Sequence, residues 1–206
     1  MPSLEQSTAA GVDPQAQEAV FAAVLQLCAE RSYREFDLGD IAVRADVDEQ
    51  VIRGRWPAKS FVVVEALLRT VAPHMVFPRT GDITADLKAQ LAATVDLFAS
   101  PSIGPHLAAL AADANTDPRL HALFLKHVFG PNRAVARARF ELAQEQGQIR
   151  PGIDLDTAVD LVFGPIWFRL LLGTGPLDAD LAGHITDCAL AGLAPQPQLA
   201  TAGGER

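Results

Sequence analysis

Arg44, Glu49, Gln50, Arg53, Arg55 and Lys59 crowd into the stretch "DIAVRADVDEQVIRGRWPAK", residues 40–59. Side chains of these types at helical spacing do recognition chemistry rather than bond breaking. Guanidinium and ammonium groups pair with phosphates, and a glutamine amide can both donate to and accept from one base edge, adenine for preference. Two short helical patterns separated by a tight turn have the form of a helix-turn-helix, whose second helix enters the major groove. In that frame Gln50 is predicted to read a base, beside Glu49 at the start of the reading helix. Arg53, Arg55 and Lys59 are predicted to hold phosphates, assisted by Arg44. The local charges cancel, with Asp40, Asp46, Asp48 and Glu49 set against Arg44, Arg53, Arg55 and Lys59. Over residues 1–59 ten acidic residues face six basic ones, a net of −4. Affinity for a duplex scales with the phosphates neutralised, so modest binding with a shallow salt dependence is expected, or in the extreme none.

Other chemistries find less support. No serine, histidine and carboxylate occur at a nucleophile spacing, and the carboxylates fall mostly at helix starts, which argues against an all-α enzyme. Cys28 and Cys188 lie far apart on apolar helical faces with no second ligand at metal spacing, so both read as buried thiols, and neither a metal nor a cofactor is expected. A second group is more suggestive. Phe98, Phe124, Phe163 and Trp167 each read singly as core aromatics, but Phe124, Phe163 and Trp167 lie near two proline interruptions, at Pro131 and Pro165. Kinked helices pack unevenly, so the group describes a site for a small apolar ligand, with His106 and His127 supplying a few orienting hydrogen bonds.

These residues need a helical scaffold, and the composition provides one. The chain has 206 residues, 49% apolar and 20% charged, rich in alanine and poor in β-branched runs, which predicts an all-α fold of about nine helices. An N-terminal three-helix head spans 13–59 and a larger helical domain spans 60–194. Residues 1–12 and 195–206 are small, polar and aperiodic, and read as tails. Asp13, Asp37, Asp48, Asp82, Asp117, Asp154 and Asp178 mark helix starts, and Val51 is expected to point inward from the helix that Asp48 begins. The segment from Asp117 to Gly147 is expected to kink or split near Pro131, and "LDTAVDLVFGPIWFRLLLG" to kink at Gly164 and Pro165. A last helix places Leu181, Ile185, Cys188 and Leu193 on one stripe. Seventeen basic against twenty-five acidic residues give a formal charge of −8, which opposes nonspecific attraction to nucleic acid or anionic membrane. No basic leader and no membrane-length apolar run occur, so a soluble, cytoplasmic protein with no membrane partner is expected.

The order of elements, and the pattern "VFAAVLQLCAERSYREFDLGDIAVRADVDEQVIRGRWPAKSFVVVEALL" over residues 20–68, resemble the TetR family of transcriptional repressors. The shared features are an apolar first helix, an aromatic turn at Tyr33, Ile-Ala in the second helix and Trp-Pro-x-Lys after the reading helix. "AVDLVFGPIWFRLLLGTGPLD" is similar to one C-terminal subfamily. The resemblance implies a two-fold homodimer through the last two helices, a small-molecule pocket among the middle helices and a ligand-controlled repressor of operator DNA. The apolar circumference of the helix after Asp154 agrees with a dimer, since one subunit of this size can hardly cover it. The sequence departs from the family pattern at Glu49, where a small or basic residue is usual, and at Arg53, where a phosphate-contacting tyrosine is usual. Ser32 and Asp46 stand where glycines are expected, and no basic arm precedes the first helix. A TetR-like sensor or sequestering dimer that has lost strong DNA binding is therefore the second reading.

Overall fold

Aspartate side chains start most of the helices. In the computed structural model, which describes residues 13–74 and 76–195, Asp37 accepts from the Asp40 backbone N–H at 3.0 Å while the Asp40 carboxylate accepts from that of Asp37 at 3.0 Å. Asp48 accepts from Gln50 at 2.7 Å, Asp117 from Arg119 at 2.9 Å, Asp154 from Thr157 at 3.2 Å and Asp178 from Leu181 at 2.9 Å. Asp13 makes no such bond, and Pro14 alone marks that helix start. Each carboxylate sits at the positive end of a helix, so part of the acidity of the chain is structural.

The helices are α1 (Pro14–Glu30), α2 (Leu38–Ala45), α3 (Glu49–Arg55), α4 (Lys59–Val71), α5 (Ile83–Ala99), α6 (Gly104–Ala114), α7 (Pro118–Phe124), α8 (Gly130–Glu145), α9 (Leu155–Leu172) and α10 (Ala179–Leu193). Among the described residues no strand occurs, and the fold is all-α, as the composition predicts. The expected tails at 1–12 and 195–206 lie outside the described residues, Pro195 excepted. The chain divides into two compact units. The first joins the residues before Val76 with Asp96–Pro131, and the second joins Val76–Val95 with the residues from Asn132 onward.

In the first unit α1 packs on α2 and α4, and α6 packs on α4 and α7. Val20, Val24, Leu27, Ile41, Ile52, Trp56, Leu67, Leu110 and Phe124 fill its interior. In the second unit α9 and α10 pack together, Leu87 and Leu91 of α5 are buried, and the rings of Phe77 and Phe140 meet edge to face at 6.3 Å.

Two local expectations, at Val51 and Cys188, are corrected. Val51 is 42% exposed, and Ile52 is the buried residue of α3 at 0%; one seven-residue helix carries too little periodicity to set its phase, and the larger branched side chain takes the core position. Cys188 is exposed, because α10 buries the Leu181, Ile185, Ala189, Leu193 row and not the adjacent one. The segment after Pro118 changes its winding just before Pro131. Helical backbone runs through a π-helical stretch, Leu125–Phe129, directly into α8. The proline lacks an N–H and crowds the preceding turn, and the wider π turn accommodates it. The Gly130 N–H bonds to the Leu125 carbonyl, and a Cβ at residue 130 would lie 2.8 Å from that oxygen, so glycine is required there. Pro165 lies inside α9, which ends at Gly173, whose φ of 62° is the left-handed stop that glycine favours.

Candidate nucleic-acid interface

The turn between α2 and α3 is built on Asp46, at φ 53°. Its N–H and that of Val47 close back on Ala42, the latter at 3.1 Å, in the manner of a left-handed helix stop. Ile52 turns inward and holds α3 against the head. Gln50 and Arg53 are exposed, and the Gln50 amide has no partner among the described residues. The C-terminal end of α3 is fastened to α4. Trp56 is 1% exposed, packs edge to face on Phe21 at 5.7 Å, and donates its indole N–H to Glu65 at 3.0 Å. It is a structural residue, as its size and position suggest.

The predicted phosphate-binding cations already have partners within the first unit. Arg44 forms a two-pronged pair with Glu30 of α1, at 2.8 and 2.7 Å. This hydrogen bonding holds the Glu30 carboxyl below its ordinary range and raises Arg44. Arg53 bonds Glu49 one turn earlier at 2.8 Å. Arg55 lies 3.6 Å from Glu65 and over the Trp56 ring. Lys59 donates to the carbonyls of Tyr33 and Phe36, at 2.6 and 2.8 Å, with its ammonium 4.1 Å from the Tyr33 ring centre, and burial lowers its pKa. Arg34, which the sequence reading passed over, is exposed and carries no ion pair among the described residues. Its isolation depends on which acids the fold brings near, a long-range property. Exposed pairs of this kind are worth roughly 0–1 kcal/mol each, so the arginines remain exchangeable between carboxylate and phosphate.

The six ligand-site candidates divide between the units. Phe98, His106, Phe124 and His127 belong to the first, and Phe163 and Trp167, half-buried on α9, to the second. His106 is buried, donates from Nε2 to the Cys28 carbonyl at 2.9 Å, and leaves Nδ1 without a partner among the described residues. Burial, and then the Lys59 charge, lower its pKa against that bond, so the ring is neutral. Burial likewise lifts the Cys28 thiol to about 12. His127 is half-buried in the π stretch, and the Phe124 and Phe129 rings lie 6.0 Å apart. Among the described residues no group of three or more His, Cys, Asp or Glu could hold a metal, and no helix is long and apolar enough to cross a membrane.

A three-helix head with α3 exposed after a tight turn has the form of a helix-turn-helix DNA-binding unit. The family model described as the tetracyclin repressor-like C-terminal domain matches residues 77–189. The uncharacterized HTH-type transcriptional regulator YdeS of Bacillus subtilis (strain 168) is 26% identical over 160 residues, covering 78% of this chain and 80% of its own. The crystal structure of the TetR family transcription regulator SCO0332 superposes with a TM-score of 0.74 at 29% identity, covering 88% of this chain and all of that one. FadR from Bacillus subtilis, solved in complex with stearoyl-CoA, shares the fold with a TM-score of 0.66 at 15% identity, over 85% of this chain and 98% of that one. The chain belongs to the TetR family of transcriptional regulators. Its relatives are regulators of transcription, not enzymes.

Proposed function

We propose that the protein is a cytoplasmic, ligand-responsive repressor that binds operator double-stranded DNA as a homodimer and is released by a small apolar effector. In this reading residues 13–59 form the DNA-binding head, with Gln50 on a base edge and Arg44, Arg53, Arg55 and Lys59, beside Glu49, at the backbone. Residues 60–194 take the effector, with candidate contacts at Phe98, His106, Phe124 and His127 in the first unit and at Phe163 and Trp167 in the second, and dimerise through α9 and α10. The observation that carries the reading is the fastening of α3 to α4 through Glu65, which meets both Trp56 and Arg55. A shift of α4 moves the reading helix with it, and an effector that fits one position of α4 better than another shifts DNA affinity by that difference. The FadR of the same fold solved in complex with stearoyl-CoA supports the ligand-responsive part of this reading.

The internal pairing of Arg44, Arg53 and Arg55 favours a second reading, a sensor or sequestering dimer with little DNA affinity. Selection of genomic fragments by the purified protein at two salt concentrations separates the two. Under the repressor reading Gln50→Ala relaxes preference at one base position, while Arg53→Ala weakens all sequences alike. Equal, weak retention of every fragment by all three proteins selects the sensor.

A further inference from the structure

Arg139 faces the interior of the second unit from α8, in line with Ala136, Phe140 and Ala143, and is 1% exposed. Its Nε donates to Oδ2 of the fully buried Asp86, on α5, at 2.6 Å. The other oxygen of Asp86 is taken by Thr80, whose backbone N–H and hydroxyl donate to it at 2.9 and 2.6 Å. Burial pushes the Asp86 carboxyl up, but Thr80 and Arg139 together hold it below its ordinary value, so it is a carboxylate.

An arginine that only neutralises a buried carboxylate does so best through its two-pronged fork. Here Thr80 occupies the second oxygen and Arg139 keeps a single bond. Nη1 and Nη2, four N–H donors between them, are buried and meet no acceptor among the described residues. Donors in that state have lost hydration without compensation, which native interiors rarely tolerate without a use. The same face of α5 stays polar at this depth, with Asp86, Gln90 and Thr94 one turn apart and all buried.

The charge balance selects what these donors accept. Asp86 already neutralises Arg139, so an added carboxylate or phosphate would leave an uncompensated negative charge in the interior. A carbonyl oxygen accepts from both Nη groups with no change in charge. We propose that Nη1 and Nη2 of Arg139 bind the neutral carbonyl oxygen of a small, otherwise apolar molecule, a ketone, ester, amide or lactone, within the second unit. As the polar anchor of an effector, Arg139 rests on the ligand-responsive reading above and adds the chemical class of the molecule.

Three probes of one shape test it on the full-length protein by calorimetry: 2-acetylnaphthalene with a neutral carbonyl, 2-ethylnaphthalene with no acceptor, and 2-naphthoate with an anion. Acetophenone, ethylbenzene and benzoate repeat the comparison at smaller size. In at least one size the ketone binds about tenfold or more tighter than its ethyl counterpart, close to 1.4 kcal/mol, and tighter than the carboxylate. Arg139→Lys keeps a cation beside Asp86 but removes the fork, and abolishes the ketone's advantage. The comparison within the wild-type protein remains decisive should that variant fail to fold. Ketone and ethyl probes of equal affinity, a preferred carboxylate, a ketone preference that survives in a folded Arg139→Lys, or no ketone binding at millimolar concentration overturns the proposal. Release of a bound DNA fragment is read separately. Carbonyl-dependent binding that never alters DNA affinity overturns the effector reading and leaves the anchor standing, whereas release by ketone and ethyl probes alike sustains the effector reading and overturns the anchor.

Discussion

The hydroxyl of Tyr33, in the turn between α1 and α2, donates a 2.9 Å hydrogen bond to the carboxylate of Asp113 near the end of α6. Burial first, and then the Asp113 carboxylate, raise the Tyr33 pKa, so it remains a donor across the physiological range. With the His106 bond to Cys28 it ties α6 to the head at two points eighty and seventy-eight residues apart in sequence. Tyr33→Phe keeps the ring and removes only the bond. It is expected to lower stability by about 1 kcal/mol, read by urea denaturation, and to reduce the change in DNA affinity that an effector produces.

Asp46 occupies a left-handed position at φ 53°, where glycine is the better residue. That conformation costs an ordinary L-residue roughly 1–2 kcal/mol, and the extra freedom of glycine in the unfolded chain offsets roughly 0.5–1 kcal/mol of it. Asp46→Gly is therefore expected to stabilise the protein by about 0.5–1 kcal/mol in chemical denaturation, and to tighten DNA binding by removing a negative charge beside the reading helix. Loss of stability would show that the aspartate makes up the strain elsewhere.

Glu30 holds both prongs of Arg44. Glu30→Gln weakens that hold and frees the guanidinium for a phosphate. The expected result is a several-fold rise in affinity at low salt and a salt dependence steeper by about one counterion. Unchanged binding and slope would place Arg44 outside the interface. Because the Glu30 pKa is depressed by Arg44, the pair is intact above the ordinary carboxylate range and is lost only as pH falls through the depressed value, so in wild-type protein the constraint persists at any pH used for DNA binding.

His106 is neutral in the folded protein because burial depresses its pKa. The unfolded chain therefore takes up a proton first as pH falls below the ordinary histidine value of about 6.5, while the native state does not. Stability is complete above that value and declines below it until the folded pKa is reached. His106→Gln, which retains an N–H donor for Cys28, is expected to flatten this decline in denaturation midpoints measured across the range. His127, shifted the same way by burial and Lys126, supplies the remaining slope. A decline that is identical in the variant would contradict the assignment.

Phe168 is 55% exposed on α9, in company with exposed Leu161, Leu171 and Leu172. Apolar side chains concentrated in this way on one helix mark an interaction surface. Under the homodimer reading Phe168→Glu dissociates the protein in sedimentation velocity at micromolar concentration while leaving its far-UV circular dichroism unchanged. A wild-type protein that already sediments as a monomer would refute the dimer.

Much of the scaffold is written locally. Asp37, Asp48, Asp117, Asp154 and Asp178 bond backbone donors two or three residues ahead, so their roles are legible in any short window, as are the buried row of α5 and the stop at Gly173. Short windows mislead where one turn decides the phase, as at Val51 and Ile52, or where two apolar rows adjoin, as at Cys188 and Ala189. The partners of the charges lie in no window at all. Arg44 meets Glu30 across fourteen residues, Lys59 meets Tyr33 across twenty-six and Arg139 meets Asp86 across fifty-three. The amino-acid order by itself determined the helices, their ends and the helix-turn-helix form, because backbone hydrogen bonds and side-chain periodicity act over one or two turns. Tertiary structure alone decided which cations are already engaged and which donors are buried without an acceptor, because a charge interacts with whatever the packed chain brings within a few ångströms of it, however distant along the sequence.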